Sequence, residues 1–349
     1  MIDPLNQSLW ISAVLFIVSA VGIWIAGSKL VDYADTIADR KQLGKAFMGL
    51  VLLATVTSLP EIATTVTASV SGNAQLAMNN LFGGITMQTA TLAVVDAFIV
   101  RGALTHYPRT STHALEAALL ILLLSMLLGI GIGGEIALVY QIGLGSLVLS
   151  VAYALCIILL RKYEAHGDWV PVELPDKKAP APRLRAVITS VSLPMKALVI
   201  RSAIASLIIL VCGVVLARSA EAIAIHTSLG SNFVGVTILA ASTSLPELST
   251  TIAAARMGSF NMAISNIFGS NLIMVALLLP ADVLYRGGPI LSEVSAHESF
   301  ALVCGILVTA IYVVGILVRK KPRVLQMGID SIGVLIVYIG SLFALYYLR

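Results

Sequence analysis

The chain has 349 residues, of which 58% are hydrophobic and only 11% charged, with a mean hydropathy of +0.97. A soluble protein of this length would carry about 25% charged residues, so the composition excludes one and indicates an integral membrane protein. The net charge of +4 is a matter of topology, as the placement of Lys and Arg shows, and implies no nucleic-acid partner.

Measured against the roughly 20 apolar residues that cross a bilayer, the chain reads as an all-α integral membrane protein of ten transmembrane helices, at 9–28, 45–71, 74–100, 113–133, 136–160, 197–217, 231–257, 259–284, 297–318 and 328–348. Met1–Trp10 has no basic segment, so the first run is expected to be a retained span and not a signal peptide. The second, third, seventh and eighth runs are long and interrupted by Pro, Gly, Asn or Ser. The longest polar stretch, Arg161–Lys196, holds Pro171, Pro175, Pro180, Pro182 and Pro194 and reads as a linker. It divides the chain into a first half, 1–160, and a second half, 197–349, each with five spans. Eighteen of the 22 Lys and Arg fall on the side of the loops that follow odd-numbered spans. The positive-inside rule puts that side, with the 161–196 linker, in the cytoplasm and both termini outside the plasma (inner) membrane.

The segment TSLPE occurs at Thr57–Glu61 and again at Thr243–Glu247. A charged side chain near the bilayer centre costs about 2.5–3.5 kcal/mol on insertion scales, and a helix-interior proline costs about 3 kcal/mol. The cost recurs because the segment belongs to a duplication. Leu50–Gly83 matches Val236–Gly269 without a gap at an offset of 186, with 15 of 34 positions identical. The matches include Thr64/Thr250, Thr65/Thr251, Gly72/Gly258, Asn80/Asn266 and Phe82-Gly83/Phe268-Gly269. Each half has an odd number of spans, so the second enters the membrane upside down; such inverted repeats are built around midplane sites in many transporters. The repeated regions cover about 44–100 and 230–286.

Pro60 and Pro246 should free the carbonyls of Val56 and Ser242, which in hydrocarbon need a partner. Thr57, Ser58, Thr64 and Thr65 lie on the helical face of Glu61, and Thr243, Ser244, Thr250 and Thr251 on that of Glu247. Two carboxylates with hydroxyls and carbonyls make an oxygen cage suited to a hard cation such as Ca²⁺ or Na⁺. Two ionised carboxylates in low dielectric repel, so the site should hold either a cation or protons. Competition between them, with alternating access, is antiport. The threonines at 64, 65, 250 and 251 could equally bond their own helix. Asn80, Gly84 and Gln88 form a second stripe, paralleled by Asn266, Ser270 and Met274; Asn80, Asn266 and Gln88 could contribute ligands or staple helices.

These residues resemble those of the cation/calcium exchanger superfamily, which includes sodium/calcium and proton/calcium exchangers, along essentially the whole chain. The resemblance rests on the ten spans, the duplicated TSLPE and the later SNIFGSN. It implies Glu61 and Glu247 as the central cation ligands, with Ala54, Thr57, Ser58, Ala240, Thr243, Ser244 and Ser270 supplying hydroxyls and carbonyls. Gly84 departs from the family serine, and Gln88 and Met274 from the Asn or Asp usual in sodium/calcium exchangers. Met274 is expected to be packing or a gate plug, and the balance tips towards proton coupling.

The expected activity is therefore secondary Ca²⁺/H⁺ antiport, with Na⁺-coupled Ca²⁺ exchange, Na⁺/H⁺ exchange or a transport-inactive cation sensor as alternatives. The expected partners are inorganic cations and the bilayer, and no cofactor beyond the transported cation is implied. The aspartate pairs, Asp-rich motifs and intramembrane Ser/His pairs of membrane enzymes are not found, the five His residues falling in loops or at span ends. Outside the repeat cores, Asp96 and Asp282 are expected to pair with Arg101 and Arg286, and Glu293, His297 and Glu298 to form a solvated helix start. Cys156, Cys212 and Cys304 are expected to pack, and Trp10, Trp24, Tyr346 and Tyr347 to be interfacial or packing aromatics.

Overall fold

The computed structural model describes residues 8–100, 102–108, 111–138, 142–165, 193–226, 241–318, 323–324 and 327–347. Helix α1 covers Leu9–Lys41 and is followed by α2 (Lys45–Met48), a π-helical turn (Gly49–Leu53), α3 (Ala54–Thr57) and α4 (Leu59–Val70). Then come α5 (Ala74–Phe98), α6 (Thr112–Gly133), α7 (Leu144–Ala165) and α8 (Met195–His226). Residues 241–243 are helical and precede α9 (Leu245–Arg256), α10 (Phe260–Ala276), α11 (Leu278–Leu284), α12 (Ala296–Val318) and α13 (Ile329–Tyr347). A two-residue hairpin, β1 (Arg323–Val324) with β2 (Met327–Gly328), leads into α13.

Among the described residues seven helices are long and apolar enough to cross a membrane, eight if the bent run Lys45–Val70 counts as one. The expected seventh span lies partly outside the described residues, as does most of the 161–196 linker. Three expected boundaries move, one of them the end of the sixth span, which runs past residue 217 to His226. The first helix continues past residue 28 to Lys41. The fifth begins at Leu144 and not at 136: residues 136–138 pair with residues 142–144, with Leu138 N–H donating to Ile142 O at 2.8 Å and Leu144 N–H to Ile136 O at 2.8 Å. Glu135 holds that pairing by accepting from the backbone N–H groups of Ile136 and Gly145.

The helices sort into an inner and an outer set. Helix α5 and the α10–α11 run bury most of their apolar length, whereas α1, α6, α7, α8 and α12 bury less than half. The outer ones turn apolar side chains such as Ile17, Val21, Leu155, Ile204 and Leu207 outward, as a lipid-facing surface requires. Helix α1 lies along α8. At the centre α10 packs on the π-helical turn, α3 and α5, backbone against backbone. A Cβ added to Gly269 would lie 2.7 Å from both Leu50 O and Ala54 Cβ, and one added to Gly49 would lie 2.5 Å from Met262 O. Small residues permit this approach where lipid supplies no hydrophobic drive.

The expected Asp282–Arg286 ion pair does not form, and both Asp96 and Asp282 act as clamps on backbone N–H groups. Asp96 Oδ1 accepts from Leu104 N–H at 2.6 Å, and its Oδ2 from Gly328 N–H at 3.0 Å and Ser331 Oγ at 2.6 Å. Asp282 Oδ1 accepts from Ile290 N–H at 2.7 Å, and its Oδ2 from Gly143 N–H at 2.7 Å and Ser146 Oγ at 2.5 Å. Each aspartate thus ties the end of one membrane helix to the start of another (α13 or α7), because loop N–H groups buried in the membrane need an acceptor. Arg101 lies outside the described residues.

Glu298, expected in solvent, is buried and accepts from the N–H and hydroxyl of Ser295 in a capping box at the start of α12. His113, in the first turn of α6, is also buried, with Nδ1 2.9 Å from Glu116 Oε2 and 3.1 Å from Ser265 Oγ. Cys156 and Cys304 are buried and Cys212 half-buried, consistent with packing. Asp96→Ala or Asp282→Ala would orphan two backbone donors and one hydroxyl, at about 1–3 kcal/mol each. Each variant should lower the thermal midpoint of detergent-solubilised protein clearly, and Asp96→Asn, which keeps one acceptor oxygen, should lower it less.

Candidate cation site

Both copies of TSLPE break their helix at the serine. Ser58 has φ −78° and ψ 2°, and Ser244 has φ −83° and ψ 3°. The helices resume at Leu59 and Leu245, with Ile62 N–H reaching Ser58 O at 2.9 Å and Leu248 N–H reaching Ser244 O at 3.1 Å. The first break bends the chain by 47°. Pro60 and Pro246 therefore sit in a first helical turn, where a missing N–H costs nothing. The helix-interior penalty expected for them is not incurred.

This placement also answers how two carboxylates survive burial. Glu61 and Glu247 are each the third residue of a twelve-residue helix, where N–H groups and the helix dipole present partial positive charge. They are 1% and 0% exposed and close enough for their charges to act on each other. The amide of Gln88 faces Glu61, and the hydroxyls of Thr57, Ser58 and Ser270 face Glu247.

Four oxygens form a tight group. Thr57 Oγ1 lies 3.3 Å from Ala54 O and 3.4 Å from Ser270 Oγ, and Ser270 Oγ lies 3.5 Å from both Ala54 O and Glu247 Oε1. Thr57 Oγ1 also donates to Leu53 O at 3.0 Å, and the two hydroxyl protons of Thr57 and Ser270 cannot serve all these contacts. The spacing matches neighbouring oxygens around a hard cation, since bonds of 2.3–2.6 Å at right angles put ligands about 3.3–3.7 Å apart.

Around this group is a collection of buried polar atoms with no hydrogen-bond partner: both oxygens of Glu61, Oε2 of Glu247, Oγ of Ser58 and Ser244, both amide atoms of Gln88, and Oδ1 of Asn266 and Asn271. Such atoms are rare in a folded interior and need an explanation. Among the described residues no three His, Cys, Asp or Glu side chains converge. A cation here would take two carboxylates and neutral oxygens, the ligand set of Ca²⁺ or Na⁺.

The other candidates divide by what they bond. Thr64 Oγ1 donates to Pro60 O at 3.0 Å and Thr250 Oγ1 to Pro246 O at 2.8 Å, the helix back-bonding alternative. Asn80 Nδ2 donates to Thr65 Oγ1 at 3.1 Å, and Asn266 Nδ2 to Thr250 and Thr251 at 3.0 and 3.1 Å. These amides staple α4 to α5 and α9 to α10, while Oδ1 of Asn266 stays available. Thr243 and Ser244 are buried beside the second break, and Ala240 lies outside the described residues.

Two features escaped sequence reasoning. Asn271 Nδ2 donates to Thr89 Oγ1 at 3.0 Å, joining α10 to α5 across the two halves; its place in SNIFGSN was a signal. The other is a contact between Gly84 and Met274. A Cβ added to Gly84 would lie 2.8 Å from Met274 Cε and 3.1 Å from Sδ.

The structure is similar to solved structures of the sodium-calcium exchanger NCX_Mj. The match to the form soaked in Na⁺ without Ca²⁺ has a TM-score of 0.70 at 20% identity, covering 98% of this chain and 100% of that one, which shows a shared fold. In sequence the chain is 24% identical over 325 residues to CaxA of Alkalimonas amylolytica, covering 93% of this chain and 95% of the relative. It is 25% identical over 280 residues to inner membrane protein YrbG of Escherichia coli K12, covering 80% and 82%. The profile of the sodium/calcium exchanger protein family matches residues 11–162 and 198–347. With nearly all of its membrane-embedded sequence matched, the chain belongs to the sodium/calcium exchanger protein family.

Proposed function

We propose that this membrane protein is a secondary antiporter exchanging Ca²⁺ for H⁺ by alternating access at a site centred on Glu61 and Glu247. The observation that carries the reading is the pair of buried carboxylates, three of whose four oxygens lack a protein partner. Ala54 and Ala240 would supply carbonyls, Thr57, Ser58, Thr243, Ser244 and Ser270 hydroxyls, and Gln88, Asn80 and Asn266 amide oxygens or support. Ten spans in two inverted five-helix halves would bring the two broken helices in from opposite faces, which the 186-residue duplication supports.

The coupling follows from charge. Two carboxylates in a low-dielectric site cannot both stay ionised and uncompensated. One divalent cation or two protons neutralise them equally, so each displaces the other. Each then leaves an uncharged site able to change its access.

In proteoliposomes loaded with a Ca²⁺-sensitive dye, an imposed pH gradient should drive Ca²⁺ flux, and Glu61→Gln or Glu247→Gln should abolish it. Flux driven by Na⁺ alone would overturn proton coupling, and no cation flux under any gradient would overturn exchange. Binding can be read separately from transport. Saturating Ca²⁺ at about 100 times its Kd should stabilise the protein by about 2.7 kcal/mol, and the double Gln variant should show no Ca²⁺-dependent shift in melting. The positive-inside assignment places both termini outside and the 161–196 linker in the cytoplasm. With Cys156, Cys212 and Cys304 replaced by Ala, a cysteine introduced at Ser190 should therefore react with an impermeant maleimide in inverted vesicles and not in intact cells.

A further inference from the structure

Helix α1 runs on past the first expected span to Lys41, and this extension carries Asp35 and Asp39. Asp35 is only 9% exposed, and its Oδ1 accepts from two other elements at once. Lys45 Nζ, at the start of α2, lies 2.7 Å away, and Ser259 Oγ, in the turn between α9 and α10, lies 2.6 Å away. Lys45 Nζ also lies 3.4 Å from Asp39 Oδ1. One carboxylate oxygen thus joins α1, α2 and the α9–α10 turn. The placement of Lys and Arg puts all three on the cytoplasmic side.

The turn on the other side of the membrane is built differently. At the 186-residue offset Ser259 corresponds to Asn73, whose side chain caps its own helix by accepting from Leu76 N–H at 3.0 Å. Ser259 holds the same capping position on α10 but makes no cap bond, and its hydroxyl goes to α1 instead.

What this tie covers is the half-helix that leads to the site. Helix α9 runs from the break beside Glu247 to Arg256 at its cytoplasmic end, and α1 lies closely against it. A Cβ added to Gly27 would lie 2.5 Å from Ser249 Oγ and 3.1 Å from Thr250 Cγ2, and Ser249 and Thr250 are fully buried. Asp35 fastens α1 eight residues beyond that contact, about 12 Å along the helix. A passage along α9 from the cytoplasm to Glu247 is closed for as long as α1 stays seated.

We propose that Asp35, Lys45 and Ser259 form a cytoplasmic latch. Made, it seats α1 on α9 and closes the site to the cytoplasm; broken, it lets α9 be uncovered from that side. The inference rests on the alternating-access reading above and deepens it by naming a contact that must break in each cycle. The chemistry suits a contact that is made and broken repeatedly. The side chains of Lys45 and Asp39 are 37% and 64% exposed, so the charges released on opening meet water and not hydrocarbon. The Ser259 hydroxyl, 6% exposed with its residue, adds the buried bond that makes the closed arrangement specific.

The test uses protein in which Cys156, Cys212 and Cys304 are replaced by Ala and a cysteine is introduced at Ser249, beneath the α1 contact. Its reaction with an impermeant thiol reagent is timed in inverted and in right-side-out vesicles. Asp35→Asn should speed labelling from the cytoplasmic face at least about tenfold, the change expected when a charged hydrogen bond is lost from one of two states. Labelling from the outer face should not accelerate. Asp35→Glu, which keeps the carboxylate, should stay close to the parent rate. A cooperative melt in detergent identifies folded protein, and the Lys45→Gln/Ser259→Ala double variant serves if Asp35→Asn does not fold. A folded variant labelled no faster from the cytoplasmic face would overturn the latch. Equal acceleration from both faces would also overturn it, because that marks general loosening. The labelling needs no ion gradient, so either result leaves cation exchange itself untouched. Absence of cation flux in wild type under every gradient would instead remove the exchange reading, while the labelling would still report whether this contact closes the cytoplasmic face.

Discussion

The structure depends on one constraint, a proline that cannot continue a helix inside a membrane. Pro60 and Pro246 force breaks at Ser58 and Ser244, and each break starts a new helix two residues before a glutamate. The new N-termini bring partial positive charge to carboxylates that hydrocarbon would otherwise exclude. A continuous helix would have offered Glu61 and Glu247 only its own satisfied backbone. The break thus turns an insertion penalty into a pair of buried, electrostatically supported acids.

The rest of the interior serves to hold those two breaks together. Helix α10 comes close enough to the π-helical turn, across Gly49 and Gly269, for Ser270 to reach Ala54 and Thr57. Asn80 and Asn266 fasten each broken helix to the next. Farther out, Asp96 and Asp282 clamp loops to the starts of α13 and α7 with matching sets of donors. Every one of these contacts is polar, and in a setting without water each has few competitors. They leave unbonded the carboxylate and amide atoms that face one another at the centre.

The duplication is imperfect where the two halves meet most closely. The Ser270 side keeps a compact oxygen group, and the Gly84 side is filled by Met274. A change in one half can be absorbed by the other, as a methionine absorbs the space beside a glycine.

Much of this was legible in the letters. Membrane embedding, the duplication, the broken helices and the two glutamates follow from composition, offset and the chemistry of proline and carboxylate, which act locally in the chain. The sequence also pointed to Ser270 and to the departures at Gly84, Gln88 and Met274. It misjudged Asp282, because the nearest charge in sequence was Arg286 while the donors that reach it include an N–H group 139 residues away. It had no means of seeing that Gly84 and Met274 touch, since that contact joins two halves 190 positions apart. Local covalent chemistry determined which residues are costly to bury. Only the tertiary structure decided which of them come together, because that depends on how closely two backbones approach.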